Sequence, residues 1–145
     1  MLPDFSARTV RPMSSTRPFI LTLWAASLAA VAWLSLTPGS DAPSLFPHQD
    51  KLFHLLVYTW LALLPMRGFA TRSAAFTGVG AVILFGAGLE VAQAFVPLRQ
   101  PSLADLIANI IGAGCGAWLG VRLKMRDYLK QIRMDQHYKL DGSRK

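Results

Sequence analysis

Four apolar runs divide the chain, at residues 19–36, 52–66, 74–96 and 103–121, and the stretches between them are short and rich in proline, glycine and charge. A helix needs about 20 residues to cross a hydrocarbon core, so each run crosses it, or nearly crosses it, as one helix. The second run is the shortest, at 15 residues, and it reaches headgroup depth only if Asp50 and Lys51 begin its helix and Arg67 ends it. Pro38, Gly39, Pro43 and Pro47 mark residues 37–49 as a turn-rich connection. Residues 69–73 form the next turn, and Pro97 and Pro101 bracket the third connection. Neither proline can continue the third helix, and Pro101 suits the approach to the fourth. Connections this short favour a compact bundle in which sequential helices pack antiparallel.

Composition turns this pattern into a class. The 145 residues are 52% hydrophobic and only 16% charged, which is apolar for a soluble protein. The expected fold is all-α, an integral membrane four-helix bundle over residues 19–121, with basic tails at 1–18 and 122–145. The tail from residue 124 is expected to begin as an interfacial helix and then fray. Arg8, Arg11 and Arg17 precede the first run as in a secretory signal, but 18 apolar residues exceed a usual signal core, and 33–37 lacks a small-residue cleavage site. The first run is therefore expected to stay as a span. No soluble catalytic domain, repeat or low-complexity tract is present.

Lys and Arg in short flanks are retained on the cytoplasmic side. Of the 15, three lie in the N-terminal tail, Arg67 and Arg72 follow the second run, and eight follow the fourth; the other two are Lys51 and Arg99. With four spans, thirteen fall on one side only if both termini are cytoplasmic. The net charge of +7 is then mostly topology plus attraction to anionic lipid, with no call for nucleic acid.

The single Cys115 lies within the fourth run and excludes an intrachain disulfide or a paired-cysteine metal motif. Gly112, Gly116 and Gly120 recur on one face of the fourth helix, where another helix can approach closely; Gly78, Gly80, Gly86 and Gly88 serve the third in the same way. Tight packing within the chain is the first expectation, and homo-oligomerisation through these glycine faces is the second. The four tryptophans read as interfacial anchors or packing residues.

Five polar residues interrupt or edge these runs: His54, Glu90, Gln93, Asp105 and Asn109. A charged group in the bilayer centre costs about 2.5–3.5 kcal/mol on insertion scales, less near the interface, so their grouping asks for a reason. Asp50, His54 and Tyr58 share one stripe at the outer end of the second helix. Glu90 and Gln93 lie at the outer end of the third, Asp105 and Asn109 at the outer end of the fourth, and Arg99 and Ser102 in the turn between. Three helices therefore bring the set to one face of the membrane.

The spaced set Asp50-Lys51-x-x-His54-x-x-x-Tyr58, with Glu90-x-x-Gln93-x-Phe95-x-Pro97-x-Arg99-x-x-Ser102-x-x-Asp105-x-x-x-Asn109-x-x-Gly112, closely resembles the VanZ-like family of small bacterial membrane proteins. The resemblance runs from about residue 37 to 120. It implies a multi-pass protein of the bacterial cytoplasmic membrane. The founding member is associated with reduced susceptibility to the glycopeptide teicoplanin, while the family's biochemical activity is poorly defined.

Residue chemistry carries the reading further. His54 suits a general base or nucleophile oriented by Asp50, Glu90 or Asp105, which makes His54, Glu90 and Asp105 the catalytic candidates. Arg99 and Lys51 suit a phosphate clamp, with Asp50, Tyr58, Gln93, Ser102 and Asn109 completing a binding wall. Lipid-linked phosphates and cell-wall precursors are the anionic ligands at that depth. A divalent cation on Glu90, Asp105 and His54 fits hard-ligand preferences, although one histidine and two carboxylates are a weak signature without geometry. Two other readings stay open: the polar residues as interhelical glue in a structural protein, and a proton or ion relay in a transporter.

Overall fold

The computed structural model describes residues 16–38, 47–97, 99 and 101–142. Most of the expected N-terminal tail, residues 39–46 of the first long connection, and residues 143–145 lie outside the described residues. The described chain forms four helices: α1 (Thr16–Leu36), α2 (Gln49–Gly68), α3 (Arg72–Gln93) and α4 (Leu103–Gly142). Three have the length and apolarity to cross a membrane: α1, α3 and residues Leu103–Tyr138 of α4.

α2 begins at Gln49 and ends at Gly68, so Asp50 and Lys51 do open it and Arg67 lies in its last turn. Charges of those signs suit the helix dipole at each end. This helix packs against all three others, most extensively α4, and buries Tyr58, Leu61, Ala62, Leu64, Pro65 and Met66. α2 falls outside that membrane-crossing set because Gln49, Asp50, Lys51, His54 and Arg67 lower its hydropathy, so three of the four expected spans meet the criterion. α1 has no buried residue and packs only on α2 and α3. Trp60 Nε1 donates to Ser27 Oγ at 3.2 Å between α2 and α1, and Trp24 meets Phe69 edge to face, centroids 5.7 Å apart.

Two clusters make the core. Tyr58, Leu61 and Val82 pack with Trp24, Leu28 and Val31 of α1. Ala62, Met66, Ala75, Val79 and Ala113 pack nearer the other end. Large apolar side chains elsewhere point outward, among them Trp33, Leu84, Val91, Phe95 and Leu103. Exposed apolar side chains of this kind lie on all four helices.

The glycines of α4 explain its intimacy with α2. A Cβ on Gly112 would strike the Leu55 carbonyl, one on Gly116 the Thr59 carbonyl, and one on Gly120 the Met66 side chain. The residue numbers rise together, so α2 and α4 run parallel, as the first and third of three sequential antiparallel helices must. The glycine face therefore packs within the chain. On α3, Gly78 receives Pro65 and Phe69, and Gly86 receives the Tyr58 ring, whereas Gly80 and Gly88 face open space and do not share that role.

α3 starts where the Thr71 side chain accepts from Ala74 N at 3.2 Å, a local N-cap. It ends at Gln93, short of residue 96, in tight turns that lead to Pro97. The largest difference from expectation is α4, which continues unbroken from Leu103 to Gly142 instead of fraying along the tail. No proline or glycine interrupts residues 121–141, and 13 of the 21 are Leu, Lys, Arg, Met or Gln, all strong helix formers. Arg67 Nη1 ties this extension to α2 by an ion pair with Asp127 at 2.7 Å.

Candidate functional site

The C-terminal ends of α1 and α3 and the N-terminal ends of α2 and α4 meet at one end of the bundle, and the polar residues gather there. His54, one turn into α2, has Nδ1 3.0 Å from Asn109 Oδ1 of α4 and 3.9 Å from Glu90 Oε1 of α3. The amide oxygen is the better-placed partner, so Nδ1 carries the proton when His54 is neutral. Asn109 thus orients the imidazole, a role expected of Asp50, Glu90 or Asp105. Asn109 is 1% exposed, and its Nδ2 is buried without a hydrogen-bond partner.

Glu90 is buried at the end of α3, yet its Oε2 accepts the Ser102 backbone N–H at 3.1 Å. Ser102 stands immediately before α4, and its carbonyl accepts from Asp105 N and Leu106 N. Glu90 therefore rests on the N-terminal end of α4, where amide dipoles favour a negative charge. Ser102 contributes through its main chain, which sequence reading by side-chain type had no means to find.

Asp105, in the first turn of α4, is also buried, and Lys51 Nζ donates to its Oδ1 at 3.3 Å and to Asp50 Oδ2 at 2.8 Å. Lys51 thus stands between two carboxylates of α2 and α4. His54, Glu90 and Asp105 each present one donor atom, all within 4.8 Å of one another, a spacing that can hold a metal ion. Tyr58 lies one turn below His54, buried against Gly86, its ring parallel to the imidazole with centroids 6.4 Å apart. That geometry is a wide, offset stack of the phenol ring beneath the imidazole.

Two expected members serve another purpose. Gln93 Nε2 donates to Ser35 O at 3.2 Å, and Arg99 donates through Nη2 to Leu34 O at 3.0 Å and through Nε to Thr37 O at 3.2 Å. The last carbonyls of a helix lack partners inside it, and these side chains supply them at the end of α1. Gln93 and Arg99 thereby fasten the peripheral helix α1 to the site end of the bundle, while Lys51 engages Asp50 and Asp105.

Beside the cluster runs a groove of about 420 Å³ between α3 and α4, lined by Glu90, Val91, Ala94, Phe95, Ser102 and Leu106, with Pro101 and Leu103 at its rim. Among the described residues Glu90 is its single ionisable wall, and the rest is largely apolar. A polar knot and an apolar trough therefore share one carboxylate. Chemically, the cluster offers a histidine able to exchange protons, two carboxylates, an ammonium and an amide on three rigid helices.

No protein-family model, curated protein or solved structure matches this chain. The VanZ-like resemblance rests on the spaced residues themselves.

Proposed function

We propose that this chain is a VanZ-like protein of the bacterial cytoplasmic membrane, spanning it four times with both termini in the cytoplasm. Its polar cluster, at the outer face, binds an anionic envelope lipid or lipid-linked cell-wall precursor. The observation that carries the reading is the junction at Glu90 of a buried polar cluster with an apolar groove. An amphiphile matches such a junction, headgroup on the cluster and chain along the trough, while a water-soluble metabolite leaves the trough unused. The distribution of lysine and arginine supports the orientation, and the band of exposed apolar side chains supports the bilayer setting. Processing of the bound headgroup by His54 as general base, with Glu90 and Asp105 beside it, fits the same geometry. A connection with teicoplanin susceptibility follows if the ligand is a cell-wall precursor.

Mass spectrometry of lipids that co-purify with the wild type and with His54→Ala tests this. The expected result is a phosphate-bearing lipid enriched by the wild type and lost from a folded variant. Identical lipid profiles would refute the proposal. The structural reading, in which the same residues only join helices, has specific support in the His54–Asn109 and Lys51–Asp105 contacts. It predicts variants that fail to remain stable in membranes.

A further inference from the structure

An anionic headgroup faces an electrostatic obstacle at this site. Asp50, Glu90 and Asp105 bring three negative charges, and Lys51 alone among their contacts brings a positive one. Arg99, the other cation at this end, is directed to the carbonyls of α1. A phosphate added to a cluster with an excess of two negative charges is repelled by the groups meant to hold it.

We infer that His54, Glu90 and Asp105 hold a divalent cation that bridges the cluster to the phosphate of its ligand. The inference rests on the lipid-site reading and names how that site takes an anion. Geometry supports it first. Donor atoms on opposite sides of a divalent ion stand about 4–5 Å apart for oxygen-ligand distances of about 2.0–2.6 Å, and the three donors lie within 4.8 Å of one another. They come from three helices, so the spacing is set by packing rather than by a flexible loop.

Charge supports it next, because a divalent ion neutralises the excess. The third observation is Asn109, whose buried Nδ2 lacks an acceptor while its Oδ1 stands 3.0 Å from His54 Nδ1. The amide thus belongs to the cluster, and a cation would bring an acceptor to it, either a bound water or a phosphate oxygen. Coordination through Nδ1 moves the imidazole proton to Nε2, which frees Asn109 Oδ1, 3.0 Å from Nδ1, to serve as a fourth ligand. Lys51 engages one oxygen of Asp105 and leaves the other for the ion. One imidazole among oxygen donors suits manganese-type ions, which accept both.

The test uses the full untagged chain in phosphatidylcholine nanodiscs, stripped with chelator and titrated with manganese chloride, with free Mn²⁺ read by electron paramagnetic resonance. Carrying His48→Gln and His137→Gln leaves His54 the only imidazole. Saturable binding of one Mn²⁺ per chain is expected, with imidazole nitrogen modulation in the echo envelope. Glu90→Gln with Asp105→Asn should weaken binding at least about tenfold. Absence of saturable binding, absence of the nitrogen coupling, or unchanged affinity in the double variant would overturn the inference, and the first two are read without any site variant. Because the nanodisc lipid is zwitterionic, the outcomes separate. Mn²⁺ bound at His54 with no lipid distinguishing wild type from His54→Ala sinks the lipid reading alone. A selectively retained lipid with no bound Mn²⁺ sinks the cation alone.

Discussion

Glu90→Gln should make the bundle more stable while weakening cation binding at the site. Glu90 and Asp105 offer oxygens no more than 4.8 Å apart, both residues buried. Two unit charges at that distance repel by about 3.5 kcal/mol at an effective dielectric constant near 20. Lys51, bonded to Asp105, also attracts Glu90 and offsets about half of this. Glutamine keeps an acceptor for the Ser102 N–H but exchanges a charged acceptor for a neutral one, a loss of about 1 kcal/mol. The remainder is a net gain of about 1 kcal/mol, and release of a buried charge adds to it. The assay is reversible unfolding in mixed detergent at pH 8 with chelator present, comparing wild type with variant. If Glu90 were helix glue, its removal would cost about 0.6–1.7 kcal/mol. The sign of the change therefore decides, and destabilisation by about 1 kcal/mol or more would refute the electrostatic reasoning. A residue whose removal stabilises the fold is retained for something other than the fold.

The α2–α4 contact predicts a sharp contrast between glycines. Gly116→Val drives a side chain against the Thr59 carbonyl and should cost at least about 2 kcal/mol in the same assay, whereas Gly114→Ala, which meets open space, should change stability by no more than about 1 kcal/mol. Arg99→Ala frees the carbonyls of Leu34, in α1, and of Thr37, just past its end, and should increase proteolysis near residue 37 without changing Mn²⁺ affinity; a fall in affinity equal to that of Glu90→Gln would return Arg99 to the site. In a Cys115→Ser background, Ser102→Cys should react with an impermeant thiol reagent added outside intact cells. Labelling only after permeabilisation would invert the proposed orientation.

The helices were legible because hydrophobic length is a local property, and the gathering of His54, Glu90 and Asp105 at one end followed from helix direction alone. Partner choice was not legible. Asn109, rather than a carboxylate, is the hydrogen-bond partner of His54, and Gln93 and Arg99 turn to the last carbonyls of α1, because hydrogen-bond demand at a helix end depends on where the next helix lies. Ser102 joined through its main chain, which carries no side-chain signature. The tail begins as a helix, as expected, but does not fray through residue 142, because propensity sustains the helix through the charged residues beyond the apolar run.

At 40 residues, α4 is a rod roughly 60 Å long. Its N-terminal end carries Asp105 and Asn109, and its glycines seat it on α2 about a third of the way along. A rod held at that point is an unequal lever. A tilt that shifts its first turn by about 1 Å carries the far end about 2 Å in the opposite direction, straining the Arg67–Asp127 tether on the way. A displacement of Asp105 that tilts α4 about its seat on α2 is therefore magnified, in mechanical terms, at the far end.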